Sequence, residues 1–219
     1  MPVADNKRAD TLLQLMQYIE GFTLQRAWVD LSDEELFWEP VGGAWGVRRR
    51  SDCQTPTPFG EGEWVCDFDF DLMVAAIQGH AIEPMTTIGW LLWHIASQPG
   101  RLAELDFLGG ARQADSGRTS PYLTHHQVFA SAADAVSAMQ AGWQALRREL
   151  SAATDAQLEQ PTRSWSYGRE RPSDGLLAPG SEPGPETSGT GIIAGVLNEV
   201  SHRGTQICVL RDLYRARRS

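Results

Sequence analysis

Two of the five histidines lie inside apolar runs whose spacing predicts helices. His94 occurs in IGWLLWHIA, and His202 occurs in LNEVSHRGTQI. A buried imidazole needs a hydrogen-bond partner or a metal, because desolvating an unpaired polar ring costs free energy. Asn198 and Glu199 precede His202 by about one helical turn, so the three side chains share a helix face. These four residues are the first candidates for a site.

If the helices that carry His94 and His202 pack together, both rings could face the interior of a helical bundle, where such folds place metals and cofactors. Neutral imidazole is a natural ligand for zinc, nickel or iron, and a catalytic ion keeps one position open for water or substrate. The alternative is that both histidines are core or edge residues that bond to backbone or carboxylate groups. The spacing alone favours this alternative, because the linear pattern lacks a full set of strong ligands.

Other sequence signals for chemistry are weak. His125 and His126 are adjacent, and neighbours on a helix point in different directions, so they are not expected to bind one ion. His80 stands in a loop-like segment and gives no signal. The run CDFDFD lacks the glycine turn and the terminal glutamate of a calcium loop, so we predict a short extended segment with its acids outward. Motifs for a nucleophile elbow, a phosphate loop, a dinucleotide fold and a zinc protease are also missing.

The apolar periodicity predicts an all-α protein built as a four-helix bundle. A short helix with an acidic first turn follows the first long one, and Pro99 is expected to break or kink helix two. We place helix one near 8–29, the short helix near 32–37, helix two from Thr86 or Thr87, helix three over 131–150, and the last helix from about Thr190.

Two connections are long and rich in glycine and proline, near 40–85 and 161–191. A long connection without regular structure usually carries function or covers a site, and we expect aromatic residues to pin the first one to the bundle. The second is expected to be irregular and partly mobile. We predict a single domain over 1–219.

The composition excludes several partners. The formal net charge is -9, so no overall positive field attracts nucleic acid or an anionic membrane surface. No stretch has the length of a membrane span, and the N-terminus lacks the apolar run of a secretory signal, so we expect a cytoplasmic protein. The three cysteines form no CxxC pair and are expected to be reduced, with Cys208 in the core.

Two segments carry a resemblance to a known family. The run TTIGWLLWHIASQPGR and the run LNEVSHRGTQICVLRDLY resemble the DinB-like superfamily of small helical-bundle proteins. WGVRRR and GEGEW, ahead of helix two, resemble the actinobacterial branch of that superfamily. It is related to the bacillithiol transferases and to the mycothiol-dependent maleylpyruvate isomerase. The resemblance spans nearly the whole chain and implies a DinB/YfiT-like bundle.

The resemblance also implies a metal site. Metal-binding members use one histidine from helix two and an H-x3-H pair from the last helix. Here His94 matches the first ligand and His202 the last, whereas Asn198 stands where the middle histidine is expected. An amide oxygen is a weaker ligand than imidazole for a borderline metal, so the site is weakened, recruits Glu199 instead, or is vacant.

Two functions from different classes follow. The first is a metal-dependent enzyme of the thiol S-transferase or isomerase type, with a mycothiol-type thiol, zinc or nickel at His94, Asn198 and His202, and a small-molecule substrate. A metal lowers the pKa of a bound thiol and so supplies a thiolate nucleophile. The alternative is a metal-free small-molecule-binding or stress-response bundle without catalysis. No catalytic residue is assigned, no cofactor-binding residue is assigned beyond the metal set, and a homodimer stays open because bundle relatives commonly pair through helices.

Overall fold

A computed structural model describes residues 6–104, 128–163 and 186–218. The elements in these ranges are mainly helical, with two short strand pairs. In chain order they are α1 (Lys7–Ile19), a π-helical turn (Glu20–Leu24), α2 (Gln25–Trp28), α3 (Asp33–Leu36), β1 (Gly46–Arg49), a 3-10 turn (Arg50–Asp52), β2 (Trp64–Asp67), α4 (Phe70–Ile77), α5 (Ile88–Glu104), α6 (Ala132–Ala152), α7 (Asp155–Leu158), β3 (Pro161–Arg163), β4 (Glu186–Ser188) and α8 (Gly189–Ala216).

The long helices form the predicted four-helix bundle. The first helix packs against α6 and α8, and α5 packs against the same two helices. Each helix buries an apolar stripe at the spacing of three and four residues that one helix face requires. The all-α prediction is therefore confirmed.

The first helix runs without interruption from α1 through the π turn into α2, which confirms the prediction near 8–29. The π turn lies against α8, where Gly204 leaves room for it. A Cβ added at Gly204 would lie 2.7 Å from Thr23 Cγ2. The thiol of Cys208 also approaches the carbonyl oxygen of Thr23, at 3.5 Å. The glycine therefore permits the close approach of α8 to this turn.

The short helix α3 confirms the prediction near 32–37 and has a capping box, because Ser32 and Glu35 exchange hydrogen bonds with each other's backbone amides. Glu35 also contacts Arg211 of α8, and both residues are buried. The same guanidinium donates to the carbonyl oxygens of Arg26 and Val29, each at 2.8 Å. Arg211 thus joins the end of the first helix, α3 and α8.

The connection near 40–85 contains more regular structure than the sequence predicted. β1 and β2 form an antiparallel hairpin in which Gly46 pairs with Asp67, and α4 follows it. The prediction that the acids of CDFDFD point outward is wrong for Asp67, which is 2% exposed. Its carboxylate accepts hydrogen bonds from the Arg48 guanidinium, from the backbone amides of Gln54 and Thr55 and from the Thr55 hydroxyl, and these satisfy the buried charge.

The predicted aromatic pinning of this connection is confirmed. Trp45 packs edge-on against Phe68, and both rings contact Trp90 of α5. Phe59 packs edge-on against Trp93 of the same helix. This aromatic cluster fixes the hairpin to the N-terminal half of α5, next to His94.

Pro99 was predicted to break or kink helix two, and a break is excluded because α5 continues from Ile88 to Glu104. A kink at Pro99 stays a prediction. A proline removes only one backbone donor, and packing against α6 and α8 holds this helix on two sides. The side-chain amide of Gln98 donates to the carbonyl oxygen of His94 at 3.1 Å, which adds a hydrogen bond one turn before the proline. Tertiary packing therefore overrides the local preference.

The second half of the chain supplies α6 and α8. Ser131 caps α6 by accepting from the amide of Asp134, at the predicted start of helix three. The prediction for the segment 161–191 is tested only at its ends, where β3 and β4 pair antiparallel ahead of α8. The remainder of that segment, and the stretch that contains His125 and His126, lie outside the described residues.

All three cysteines lie in the described ranges and form no disulfide, and Cys208 is buried as predicted.

Among the described helices, none combines the length and the apolar character needed to cross a membrane.

Candidate functional site

His94 lies on the inner side of α5, and its side chain is 13% exposed. Trp90, one turn earlier, stacks on the imidazole with ring centroids 5.0 Å apart and planes inclined by 7°. Since Trp90 is fully buried within the aromatic cluster, one face of the imidazole is fixed against a rigid wall. The orientation of the ring is therefore set by packing before any ligand binds.

Glu199 of α8 holds the ring from the opposite helix. Its Oε1 atom lies 3.0 Å from His94 Nε2. The hydrogen bond from His94 and, to a lesser extent, that from Arg203 together lower the pKa of Glu199 to about 2, against a contribution from burial that would raise it. A carboxylate accepts only, so Nε2 carries the hydrogen of this contact. The two residues form an imidazole–carboxylate pair between helices that are far apart in sequence.

Arg203 completes the array from the next turn of α8. Its Nε atom donates to the same Oε1 of Glu199 at 2.8 Å, and its Nη1 donates to Gln206 Oε1 at 3.2 Å. Its Nη2 lies 3.9 Å from an oxygen of Glu83, in the segment that precedes α5. The guanidinium carbon also lies 5.7 Å from the centre of the Trp90 ring, within the range of a cation–π contact.

The other predicted residues lie at the surface. Asn198 and His202 are both exposed on α8, whereas Glu199, between them in sequence, contacts His94. His202 Nε2 lies 3.5 Å from the amide nitrogen of Gln206, and His80 is exposed. The structure thus brings His94 together with Glu199, the substitute ligand considered from the sequence.

The residues of this centre do not fit a divalent ion in the arrangement seen. Glu199 Oε1 already accepts from an imidazole and from a guanidinium cation, and a second cation beside Arg203 would be repelled. Within the ranges that the structure describes, no three His, Cys, Asp or Glu residues are grouped so that they could hold a metal ion. Asn198 is not one of these residue types, so the set His94, Asn198 and His202 stays a prediction.

Two polar atoms near His94 are buried without a hydrogen-bond partner among the described residues. They are Trp90 Nε1, one turn before His94, and Gln98 Oε1, one turn after it. Trp90 is fully buried and Gln98 is 8% exposed. Buried polar groups are normally satisfied, so this face of α5 retains unused hydrogen-bonding capacity.

A sequence profile described as the DinB superfamily matches residues 23–207. The chain belongs to the DinB superfamily. The match starts within the π turn, ends in α8 and contains the whole His94, Glu199 and Arg203 array. The DinB resemblance seen in helices two and four is therefore confirmed, while the assignment to the actinobacterial branch stays a prediction. Comparison with curated proteins and with solved structures gave no match.

Arg203 was missed by sequence reasoning, although the chain contains a signal for it. It follows Glu199 by four residues in a segment predicted to be helical, and opposite charges at this spacing face each other. The spacing indicates a surface ion pair as readily as a buried one. Only the position of α5 places this pair against His94.

Proposed function

We propose that this DinB-superfamily protein is an enzyme of the thiol S-transferase or isomerase type that acts on a small molecule and uses His94 as the proton acceptor. The observation that carries the proposal is the 3.0 Å contact between His94 Nε2 and Glu199 Oε1. A carboxylate that holds one ring nitrogen of a histidine fixes the tautomer and stabilises the imidazolium that forms when the other nitrogen takes a proton. This arrangement suits general-base catalysis.

The proposed step is a proton transfer coupled to a substitution. A low-molecular-weight thiol of the mycothiol type gives its S–H proton to His94 Nδ1, and the S–H electron pair stays on sulfur. The thiolate then attacks an electrophilic carbon, and the leaving group departs with the electron pair of its bond. In the isomerase version the thiolate adds to a double bond and is eliminated after rotation; it then takes its proton back from His94, so the thiol and the neutral imidazole are both regenerated. The ionised Glu199 offsets the charge of the imidazolium throughout.

A divalent metal, zinc or nickel, was expected to activate the thiol. Because the donor set around His94 does not fit a dication, the proposed step uses the imidazole itself. The groups around His94 support this choice, because Trp90 and Glu199 already hold the ring from two sides. Neither contact has to be broken for the imidazole to accept a proton.

The proposal is tested by transfer of mycothiol to monochlorobimane, whose thioether product is fluorescent. His94→Gln removes the base, and we expect its kcat/KM to fall by about a hundredfold or more. Glu199→Gln keeps an acceptor but no charge, and we expect a smaller loss. His80→Gln, at an exposed histidine, is the matched control and should keep the wild-type rate. A wild-type rate in His94→Gln would contradict the proposed role.

The second candidate is a metal-free small-molecule-binding protein without catalysis. It is favoured by the unpartnered buried atoms Trp90 Nε1 and Gln98 Oε1, which a ligand with one acceptor and one donor would satisfy. A ligand that binds the folded state raises the melting temperature. A small molecule that raises Tm, together with no thiol transfer to any electrophile, would favour this candidate over the enzyme.

A further inference from the structure

The cation that contacts the His94–Glu199 pair is already part of the chain. Arg203 Nε lies 2.8 Å from Glu199 Oε1, the same atom that accepts from His94. The Arg203 side chain is 16% exposed and the Glu199 side chain is 24% exposed, so solvent screens their attraction only in part. The carboxylate therefore has its counter-charge without any bound ion.

Arg203 is held on several sides. Gln206 accepts from Nη1, Glu83 lies 3.9 Å from Nη2, and the Trp90 ring lies beneath the guanidinium. A guanidinium remains charged at every pH that a folded protein tolerates, and its planar fork keeps its orientation. Moving it away would break contacts with four side chains at once, so its charge stays beside Glu199.

We infer that Arg203 takes the place of a metal ion in this chain: it is the fixed cation that positions Glu199, and it keeps divalent metals away from His94. The inference rests on the proposed function only in assigning the centre to His94 and Glu199. The exposed positions of Asn198 and His202 agree with it, because neither side chain is enclosed with His94 in the way that a tight metal site requires. Arg203 acts through Glu199 and is a positioning residue.

The decisive experiment measures zinc and nickel binding by equilibrium dialysis and elemental analysis of untagged protein. The relevant quantity is the metal bound in excess of that bound by His94→Gln, which counts only ions at the centre. In the wild type we expect this excess to be too small to detect at the metal concentrations that load Arg203→Gln. Arg203→Gln removes the charge and keeps a polar side chain of similar reach, so we expect its His94-dependent affinity to be about a hundredfold higher.

Two further variants separate charge from structure. Arg203→Lys keeps the positive charge without the fork, and it should exclude metal as the wild type does. Arg26→Gln is the matched control, because Arg26 is an exposed arginine far from His94. It pairs with Asp212, which follows Arg203 on α8 by more than two helical turns. It should also bind no metal at His94. Melting curves followed by circular dichroism confirm that each variant is folded.

The inference is overturned if the wild type binds zinc or nickel in a His94-dependent manner as tightly as Arg203→Gln does. It is equally overturned if folded Arg203→Gln gains no His94-dependent metal. Neither measurement involves a thiol or an electrophile. Failure of thiol transfer would therefore contradict the proposed function and leave the role of Arg203 standing.

Discussion

Replacement of Glu199 by glutamine should change how the stability of the protein depends on pH. The pKa of Glu199 is about 2 in the folded protein, compared with an ordinary value of 4.5. A carboxyl group whose pKa is lower in the folded state stabilises the fold above its unfolded pKa and loses that contribution as the pH falls towards its folded pKa. The window for Glu199 therefore runs from about pH 4.5 down to about pH 2.

The size of the effect follows from the same two values. Each tenfold change in the proton equilibrium corresponds to about 1.4 kcal/mol, so the full contribution is about 3.5 kcal/mol. Because the side chain is 24% exposed, screening reduces this to about 2 kcal/mol. His94 and Arg203, which bond to Glu199, and Glu83, which lies beside Arg203, all remain in the variant.

The assay is urea unfolding of the wild type and of Glu199→Gln at several pH values between about 3 and about 6. We expect the variant to be less stable by about 2 kcal/mol near pH 6, and most of this difference to disappear near pH 3. Glu159→Gln is the matched control, since Glu159 forms an exposed ion pair with Arg8. A difference for Glu199→Gln that stays constant over the whole pH range would refute the reasoning.

Further predictions concern the contacts that hold α8 in place. Arg211→Met removes the guanidinium from the buried Glu35 and should lower the free energy of unfolding by about 3–5 kcal/mol. Arg215→Met, at an arginine with 59% of its side chain exposed, should lower it by less than about 1 kcal/mol. Equal losses for Arg211→Met and Arg215→Met in urea unfolding would contradict the larger contribution of the buried contact between Arg211 and Glu35. Gly204→Ala should cost about 1–3 kcal/mol because its Cβ would meet a side chain of the π turn. Gly195→Ala, where nothing lies within 4 Å, should instead raise the melting temperature, and a stabilising Gly204→Ala would contradict the close packing.

The sequence predicted the bundle because each long helix carries an apolar stripe of clear periodicity. Leu12, Met16 and Ile19 of α1 have the spacing that one helix face requires, and all three are buried. The start of α6 could be predicted for a local reason too, since Ser131 has the chemistry of an N-cap. Signals of this kind act over a few residues and need no knowledge of the fold.

The errors occur where contacts between distant residues outweigh a local preference. Asp67 was expected to face solvent because acids usually do, yet Arg48 and the backbone of the preceding loop satisfy its charge inside the structure. Pro99 was expected to break or kink a helix, but α5 continues past it without a break, because packing against α6 and α8 holds the helix. Neither partner set can be recognised from a short window of sequence.

The candidate site depends both on a local sequence signal and on contacts between distant residues. His94 was identified because an imidazole in an apolar helix needs a partner. Which side chain of α8 contacts His94 depends on the rotation of α8 about its axis. Asn198 and Glu199 are neighbours in sequence, yet Asn198 is exposed and Glu199 contacts His94. Arg203 then follows from its i, i+4 spacing to Glu199.

The hydrogen bond between His94 and Glu199 is tested most directly by nuclear magnetic resonance of protein labelled with 15N-histidine. We expect a ring N–H proton at His94 Nε2 that exchanges slowly with water and is absent in His94→Gln. Glu199→Ala should shift this signal or remove it, whereas Glu159→Ala should leave it unchanged. A His94 ring signal that is the same in the wild type and in Glu199→Ala would show that the two side chains are not bonded.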